Sequence, residues 1–139
     1  MVLNSFHGEA LATNSNLKRL SLAGTRSTDA IAKSLADGLR DNKSLEELNL
    51  ETNYISSRGV AELLTALNES ENTSLRELKV DNQKKDFGSG GEDLIAGLLD
   101  ENRTITKFSY QFKFPGPRHK AVAATTRNAD VDRQRRRKK

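Results

Sequence analysis

The chain has 139 residues, of which 35% are hydrophobic and 30% are charged, and its formal charge is +4. This length suits one domain, and no apolar run approaches the ~18 residues of a membrane-spanning helix. Cysteine is absent, and the N-terminal segment lacks a basic stretch followed by an apolar one. Neither a disulfide framework nor a secretory signal is therefore predicted, and we expect a cytoplasmic domain with no membrane association.

The first element is a predicted helix over residues 4–13, with Phe6 and Ala10 on one face. It has the pattern of a repeat whose own strand is missing. The strand that follows, residues 19–22, is therefore expected to present an unpaired edge. Either a longer protein continues upstream, or the N-terminal segment covers this edge.

An Asn followed by the spacing LxxLxL then occurs four times. The copies begin at Asn14, Asn42, Asn72 and Asn102, and their first apolar residues are 28 or 30 residues apart. This is the pattern of leucine-rich repeats, which must stack because one unit cannot bury its apolar edge alone. We predict an α/β right-handed solenoid with a short parallel sheet on the concave face, helices on the convex face and a C-terminal capping helix.

Within each copy the last two apolar residues are two apart, as in a strand with one buried face. The predicted strands are residues 19–22, 47–50, 77–80 and 107–110. Apolar residues at helical spacing fill the intervals, and Ser or Thr residues precede them as candidate caps, at Ser27/Thr28, Ser56/Ser57 and Ser89. The Asn residues that end the helices, Asn42, Asn72 and Asn102, are expected either to cap them in a left-handed conformation or to bond backbone groups in the turn before the strand.

The outward positions of the strands place like charges side by side, Glu47 with Glu77 and Glu51 with Asp81. Lys79 lies diagonal to Glu47 and Glu51, so we expect the concave face to be neutralised internally, with a site for a basic partner as the alternative. In the last repeat, aromatic residues alternate with polar ones. We expect them to seal the core, and the alternative is a platform on which bases stack. They are Phe108, Tyr110, Phe112 and Phe114.

The C-terminal segment, residues 113–139, holds ten basic and two acidic residues, which favours an acidic partner. Pro115-Gly116-Pro117 predicts a turn, and a helix from about residue 117 is expected to leave Arg118, His119, Lys120 and Arg127 largely available. We assign residues 1–132 to the repeat domain and predict a disordered basic tail over residues 133–139.

Patterns typical of catalysis or metal binding are missing from the sequence. Its two histidines, His7 and His119, lie near opposite ends, and Gly88-Ser89-Gly90-Gly91 lacks the Lys of a phosphate-binding loop. We therefore predict a protein that is not an enzyme and has no cofactor or metal.

The loops that leave the strands are the candidates for recognition, because loops on a rigid scaffold commonly carry it. Asn53 and Ile55 continue the repeat pattern and are expected to be structural, whereas Tyr54 between them is expected to be exposed. The loop 81–86 departs from the pattern, with Gln83 in place of Asn and added charge. This departure favours a contact function for the loop.

Several segments of the chain resemble the tropomodulin and leiomodin family. They are LNLETNYI at 48–55, LKVDNQ at 78–83, KFSYQF at 107–112, and Gly116-Pro117-Arg118 followed by Arg127-Asn128 and the basic tail. The similarity covers residues 16–137 and corresponds to the leucine-rich C-terminal actin-binding domain of that family.

The resemblance implies binding at the pointed end of actin filaments, by capping or nucleation, and a place in the cytoskeleton. In that family the loops after the strands and the C-terminal helix face actin. The positions that match are Tyr54, Gln83, Lys84, Lys85, Arg118, Lys120 and Arg127. Tropomyosin would be a partner only through family regions absent from this chain. The alternatives are a generic leucine-rich-repeat scaffold for protein interactions and nucleic-acid binding by the basic tail, which is the less favoured of the two.

Overall fold

The structure is a computed structural model that describes the backbone of residues 2–137 and the side chains of residues 8–137. Within these residues helices and strands alternate along the chain. They are α1 (Val2–Thr13), β1 (Arg19–Ser21), α2 (Asp29–Leu39), β2 (Glu47–Asn49), α3 (Ser57–Glu69), β3 (Glu77–Lys79), α4 (Gly88–Glu101), β4 (Lys107–Ser109) and α5 (Pro115–Arg137). The predicted packing of the Phe6 side chain lies outside the described residues.

The four strands form one parallel sheet in chain order, and equivalent repeat positions face each other. Leu48 of β2, for example, is opposite Leu20 of β1 and Leu78 of β3. Successive helices pack on one another from α1 to α5 and form the second layer. The predicted solenoid and all four strands are confirmed, each strand one residue shorter than expected.

The repeated leucines form the core between the two layers. Leu45, Leu48 and Leu50 of the second repeat are fully buried, as are Leu75 and Leu78 of the third. In the first repeat, by contrast, Leu17, Leu20 and Leu22 are only partly buried. This difference follows from the position of β1 at the edge of the sheet, as predicted.

The repeated Asn residues bond the turn before each strand. Asn42 Oδ1 accepts the backbone N–H groups of Ser44 (3.0 Å) and Leu45 (2.8 Å), while its Nδ2 donates to the carbonyls of Leu11 and Asn14 in the preceding repeat. Asn72 repeats the arrangement one unit later. Of the two predicted possibilities, the turn-bonding one is therefore observed, and the Asn42 and Asn72 amides also tie their repeats to the preceding ones.

The helix starts differ from the prediction in detail. Thr28 and Ser56 do precede α2 and α3, but in the described residues neither side chain caps its helix. Ser56 instead donates through Oγ to Asp29 Oδ2 at 2.5 Å and through its N–H to Oδ1 at 2.8 Å. The hydroxyl therefore links two repeats. The fourth helix also starts earlier than predicted, at Gly88 after Phe87 rather than after Ser89.

The C-terminal helix is longer than predicted. It begins at Pro115 and continues to Arg137, so residues 133–137 are helical where a disordered tail was expected. Asp132 accounts for much of this, because it accepts from Arg76 at 2.5 Å and lies 3.0 Å from Arg136 one turn later. Asp130 also pairs with Arg133. These pairs offset the repulsion among the arginines, and cations are favoured at the negative end of a helix.

Among residues 2–137, no helix is both long and apolar enough to cross a membrane.

Candidate functional site

The loops that leave the strands meet along one side of the molecule, because the carboxyl ends of parallel strands share one edge of the sheet. We call this side the loop edge, made of residues 22–28, 51–56, 81–87 and 111–114. Gly24, Thr52 and Asn82 occupy equivalent left-handed positions in the first three loops, with φ of 67°, 60° and 61°. The backbone of these three loops therefore leaves the strand with the same left-handed turn, and the loops differ in the residues that follow it.

Tyr54 and Lys84 form a pair on this edge. The Tyr54 side chain is exposed, as predicted, with 46% of its surface accessible. Lys84 Nζ lies 5.1 Å from the centre of the Tyr54 ring, within the range of a cation–π interaction. The backbone N–H of Lys84 donates to the Asn53 carbonyl at 2.9 Å, which fixes the two loops against each other.

Gln83 has the same structural function that the repeat pattern predicts for Asn53. Asn53 Nδ2 donates to the carbonyls of Leu22 and Leu50. One repeat later, Gln83 Nε2 donates to Leu50 (2.9 Å) and Val80 (3.0 Å), and its Oε1 accepts the N–H of Ile55 at 2.9 Å. The half-buried amide is thus engaged in joining adjacent loops, so the departure from Asn has a structural explanation.

Three other predicted residues are exposed and near this edge. Where side chains are described, in residues 8–137, Lys85, Arg118 and Lys120 make no ion pair. Lys85 and Gln111 flank one surface depression, and Gln111 and Arg118 line the next. The loop edge therefore continues from the Tyr54–Lys84 pair to the first turns of α5.

Arg127 lies apart from the other six predicted residues. Its guanidinium donates through Nη2 to the Asn102 carbonyl at 2.6 Å and lies 3.5 Å from the Asp100 carboxylate. Asn102 is in the turn before β4, so Arg127 is at the opposite edge of the sheet from the loops. The expectation that Arg127 is largely available is wrong, because the helix dipole and carbonyl groups ending α4 attract its charge.

Asn128, next to it, is buried and completes the series of amides described above. Its Nδ2 donates to the carbonyls of Asn102 (3.1 Å) and Ile105 (2.9 Å), and the first of these bonds is equivalent to the bond from Asn72 to the Asn42 carbonyl. The repeat period alone does not predict this structural function of Asn128, because no copy of LxxLxL follows it in α5. The only signal was its adjacency to Arg127 in the recognised segment.

A buried carboxylate holds the start of α5. Glu92 accepts the Tyr110 hydroxyl at 2.7 Å and the backbone N–H groups of Lys113 (3.0 Å) and Phe114 (3.1 Å). Burial of the Tyr110 hydroxyl, and its bond to Glu92, raise the pKa of Tyr110 well above its usual range. We name this set the Glu92 clamp. The sequence places Glu92 near a helix start but gives no sign of these partners.

The aromatic residues of the last repeat seal the core in part. Phe112 is buried, Phe108 and Tyr110 are partly buried against the core, and Phe114 keeps 39% of its surface exposed. Tyr110 stacks on Phe87 with ring centres 4.6 Å apart and meets Phe112 edge-on at 4.8 Å. Three of the four rings therefore serve packing rather than a base-stacking platform.

On the sheet face, Lys79 neutralises Glu47 and Glu77 as predicted, but among residues 8–137 it makes no ion pair with Glu51 or Asp81. Its Nζ lies 3.7 Å from Glu47 and 3.5 Å from Glu77. The negative charges of Glu47 and Glu77 raise the pKa of Lys79. In the described part of the chain, no group of His, Asp and Glu residues is arranged to hold a metal ion.

Comparison with known proteins assigns the domain. A family model described as the TMOD/LMOD leucine-rich domain matches residues 3–131. The chain belongs to the tropomodulin/leiomodin leucine-rich domain family.

Bovine (Bos taurus) tropomodulin-4 is 42% identical over 130 residues, a match that covers 94% of this chain and 37% of that protein. Mouse (Mus musculus) leiomodin-2 is 41% identical over 128 residues, which cover 92% of this chain and 23% of that protein. The chain thus spans little more than a third of the first relative and about a quarter of the second.

Two solved structures resemble this tropomodulin/leiomodin domain. Actin-binding site 2 of leiomodin-1 superposes with a TM-score of 0.93 at 36% identity, and the match covers 99% of this chain and 78% of that one. The C-terminal domain of Caenorhabditis elegans tropomodulin gives a TM-score of 0.88 at 28% identity, with 98% of this chain and 81% of that one covered. The family resemblance read from the short segments and the fold class are both confirmed.

Proposed function

We propose that this domain is a noncatalytic actin-binding module that acts at filament pointed ends, by capping or nucleation, in the cytoskeleton. Its membership of the tropomodulin/leiomodin family supports the proposal, as does its close similarity in fold to a structure of the leiomodin-1 actin-binding site 2. Tropomyosin binding would belong to regions outside this chain.

The observation that carries the proposal is a row of free cations along the loop edge and the start of α5. Among residues 8–137, Lys84, Lys85, Arg118 and Lys120 make no ion pair, and all four are exposed along the loop edge and the start of α5. By contrast, Lys113 on the same edge is neutralised by Asp86 at 2.6 Å. A row of unpaired cations on a rigid support favours an acidic protein surface, which it would attract and orient.

Rigidity of the support is the second requirement, because ordering a loop on binding costs free energy. Gln83 and Asn53 tie adjacent loops through backbone carbonyls, and the Glu92 clamp fixes the start of α5. We therefore divide the seven candidate residues. Five are contact residues, and two, Gln83 and Arg127, hold the contact surface in place. The contact residues are Tyr54, Lys84, Lys85, Arg118 and Lys120.

A charge-reversal experiment tests the proposal. The variant Lys84→Glu/Arg118→Glu changes the loop edge, and Lys43→Glu/Arg103→Glu makes the same change of charge on exposed residues in the turns before β2 and β4. Filaments with blocked barbed ends then report pointed-end elongation, and cosedimentation reports binding. We expect the unmodified domain to bind and to slow elongation, the loop-edge variant to need about tenfold more protein, and the control to behave as the unmodified domain.

Two results would contradict the proposal. One is an unmodified domain that neither binds filaments nor changes their pointed-end growth at about 50 µM, a concentration that detects micromolar affinities. The other is an equal loss in both variants, since net charge alone would then explain binding.

A further inference from the structure

A groove crosses the loop edge between the first and third repeats, beside the Tyr54–Lys84 pair. Its lining contains two cations, Arg26 and Lys84, one aromatic ring and no acidic residue. The lining residues are Gly24, Arg26, Thr52, Asn53, Tyr54, Asn82, Gln83 and Lys84. The adjacent depression along the same edge, in contrast, includes Asp81 and Asp86. The groove is thus locally positive on a surface where the charges are otherwise mixed.

Arg26 is held in this groove in an unusual backbone conformation. Its φ is 60°, in the left-handed region that disfavours residues other than glycine. Asn53 Oδ1 imposes the conformation, because it accepts the N–H groups on both sides of Arg26, from Thr25 at 3.1 Å and from Ser27 at 2.9 Å. Strained residues that the surroundings fix in this way are concentrated at binding sites.

The other polar groups of the groove are already bonded. Asn53 and Gln83 use their amides on backbone carbonyls, and Asn82 Nδ2 donates to Thr52 Oγ1 at 3.1 Å. Within the described residues Arg26 and Lys84 make no ion pair, and Arg26 is exposed. Two cationic donors and the exposed Tyr54 ring therefore remain to meet a ligand.

We propose that this groove receives an acidic side chain of the partner protein, with the carboxylate between Arg26 and Lys84 and its methylene groups against the Tyr54 ring. A guanidinium and an ammonium around one carboxylate give charge-assisted hydrogen bonds, and the aromatic ring adds apolar contact. The proposal rests on the proposed function, since it takes an aspartate or glutamate of actin as the occupant. It adds Arg26, which the sequence did not single out, to the contact residues.

The first test compares Arg26→Glu with Arg103→Glu in actin cosedimentation. Both variants reverse one arginine, and Arg26→Glu leaves a residue other than glycine at the left-handed position. We expect about a tenfold loss of affinity for Arg26→Glu and less than a twofold change for Arg103→Glu. Arg26→Gln, which removes the charge without reversing it, is expected to fall between them, and it replaces Arg26→Glu if thermal melting shows that the latter does not fold.

The second test asks what lies beside Lys84. A carbodiimide joins a lysine directly to a carboxylate that it contacts, so the unmodified complex is expected to give a Lys84 cross-link to an acidic actin peptide. Lys84→Arg should keep most of the affinity and lose that cross-link. A domain that binds actin but gives no Lys84 cross-link, or whose Arg26 variants bind as well as the original, overturns the groove assignment alone. A domain that does not bind actin at all overturns the proposed function, and the groove assignment with it.

Discussion

Replacing Glu92 tests whether the Glu92 clamp holds the C-terminal helix on the repeats. The residue is fully buried, and its two oxygens accept from Tyr110, Lys113 and Phe114. Glu92→Ala removes every acceptor and leaves two backbone N–H groups at a partly buried position. Glu92→Gln keeps the shape. The amide oxygen of the Glu92→Gln side chain can still accept both backbone N–H groups. Its amide nitrogen can donate to Tyr110 once the Tyr110 hydroxyl has rotated to present its oxygen as the acceptor.

The expected losses in the free energy of unfolding distinguish Glu92→Ala from Glu92→Gln. Loss of a bond to a charged group costs about 1.5–3 kcal/mol, and an unsatisfied buried donor costs about 1–3 kcal/mol. Allowing for water that reaches the Lys113 and Phe114 backbone, we expect Glu92→Ala to lower the free energy of unfolding by about 3 kcal/mol. Glu92→Gln trades charge-assisted for neutral bonds but also relieves the burial of a charge, so about 1 kcal/mol is expected.

Urea unfolding followed by circular dichroism measures both values. For a chain of this length, 3 kcal/mol corresponds to a fall of about 10 °C in Tm, so thermal melting provides an independent check. Tyr110→Phe, which removes one donor and keeps the ring stacked on Phe87, should cost about 1 kcal/mol. If Glu92→Ala and Glu92→Gln prove equally stable, the hydrogen bonds to Glu92 do not hold α5 and our reasoning fails.

Three further predictions concern the other polar links. Asn128→Ala should lower the free energy of unfolding by about 1.5 kcal/mol in urea titration, because the buried Ile105 carbonyl loses its donor while the Asn102 carbonyl keeps the bond from Arg127, and a cost below about 0.5 kcal/mol would contradict this assignment. Thr52→Asn should raise the free energy of unfolding by about 0.5–1 kcal/mol, because Asn tolerates φ near 60° and already occupies the equivalent position at Asn82. A lower Tm for this variant would show that the contacts of the Thr52 hydroxyl stabilise the domain more than the backbone strain destabilises it. The hydrogen bond from Arg76 lowers the pKa of Asp132 in the folded protein. The stability that this carboxylate contributes is therefore complete above the pKa of an unfolded Asp, about 3.9, and is lost as the pH falls through the lower pKa of the folded state. The Tm advantage of the unmodified domain over Asp132→Asn should therefore shrink between pH 7 and pH 3, and an advantage that does not change with pH would refute the pairing.

The repeat architecture was predictable because each LxxLxL copy encodes its own strand and buried face. Leu48 and Leu78 are two such positions, and the structure places them opposite each other as the period requires. The same local logic identified Lys79 as the charge that neutralises Glu47 and Glu77. Where neighbours in space are equivalent positions of neighbouring repeats, a single sequence is enough to infer the contact.

Contacts that do not follow the period were out of reach. The pair of Arg76 and Asp132 joins residues 56 positions apart. The partners of Glu92 lie 18–22 residues away, and two of them, Lys113 and Phe114, follow the last LxxLxL copy. Gln83 was misread for a related reason. Its extra methylene indicates a break in the pattern, whereas the longer side chain reaches the equivalent carbonyls one repeat later, Leu50 and Val80 in place of Leu22 and Leu50.

The helical end of α5 shows how a local signal was overlooked. A run of like charges argues for disorder when it is considered alone. Asp132 and Arg136, however, are four residues apart, a spacing at which opposite charges stabilise a helix. The hydrogen bond from Arg76 adds a tertiary contact to the same carboxylate. Asp132 therefore decides whether the end of α5 is helical, more than the number of arginines beyond it does.

The contacts that hold α5 on the repeats also determine how rigid the proposed binding surface is. Helix α5 is fixed at its start by Glu92, further along by Asn128 under the last repeat, and beyond that by Asp132 on Arg76. A helix held at three points cannot shift without breaking buried or charge-assisted hydrogen bonds. The cations at its start, Arg118 and Lys120, are therefore held in fixed positions relative to the loops. A partner meets the loop edge and the start of α5 as one preorganised surface, and the loss of affinity when α5 is loosened should exceed what its exposed charges alone contribute.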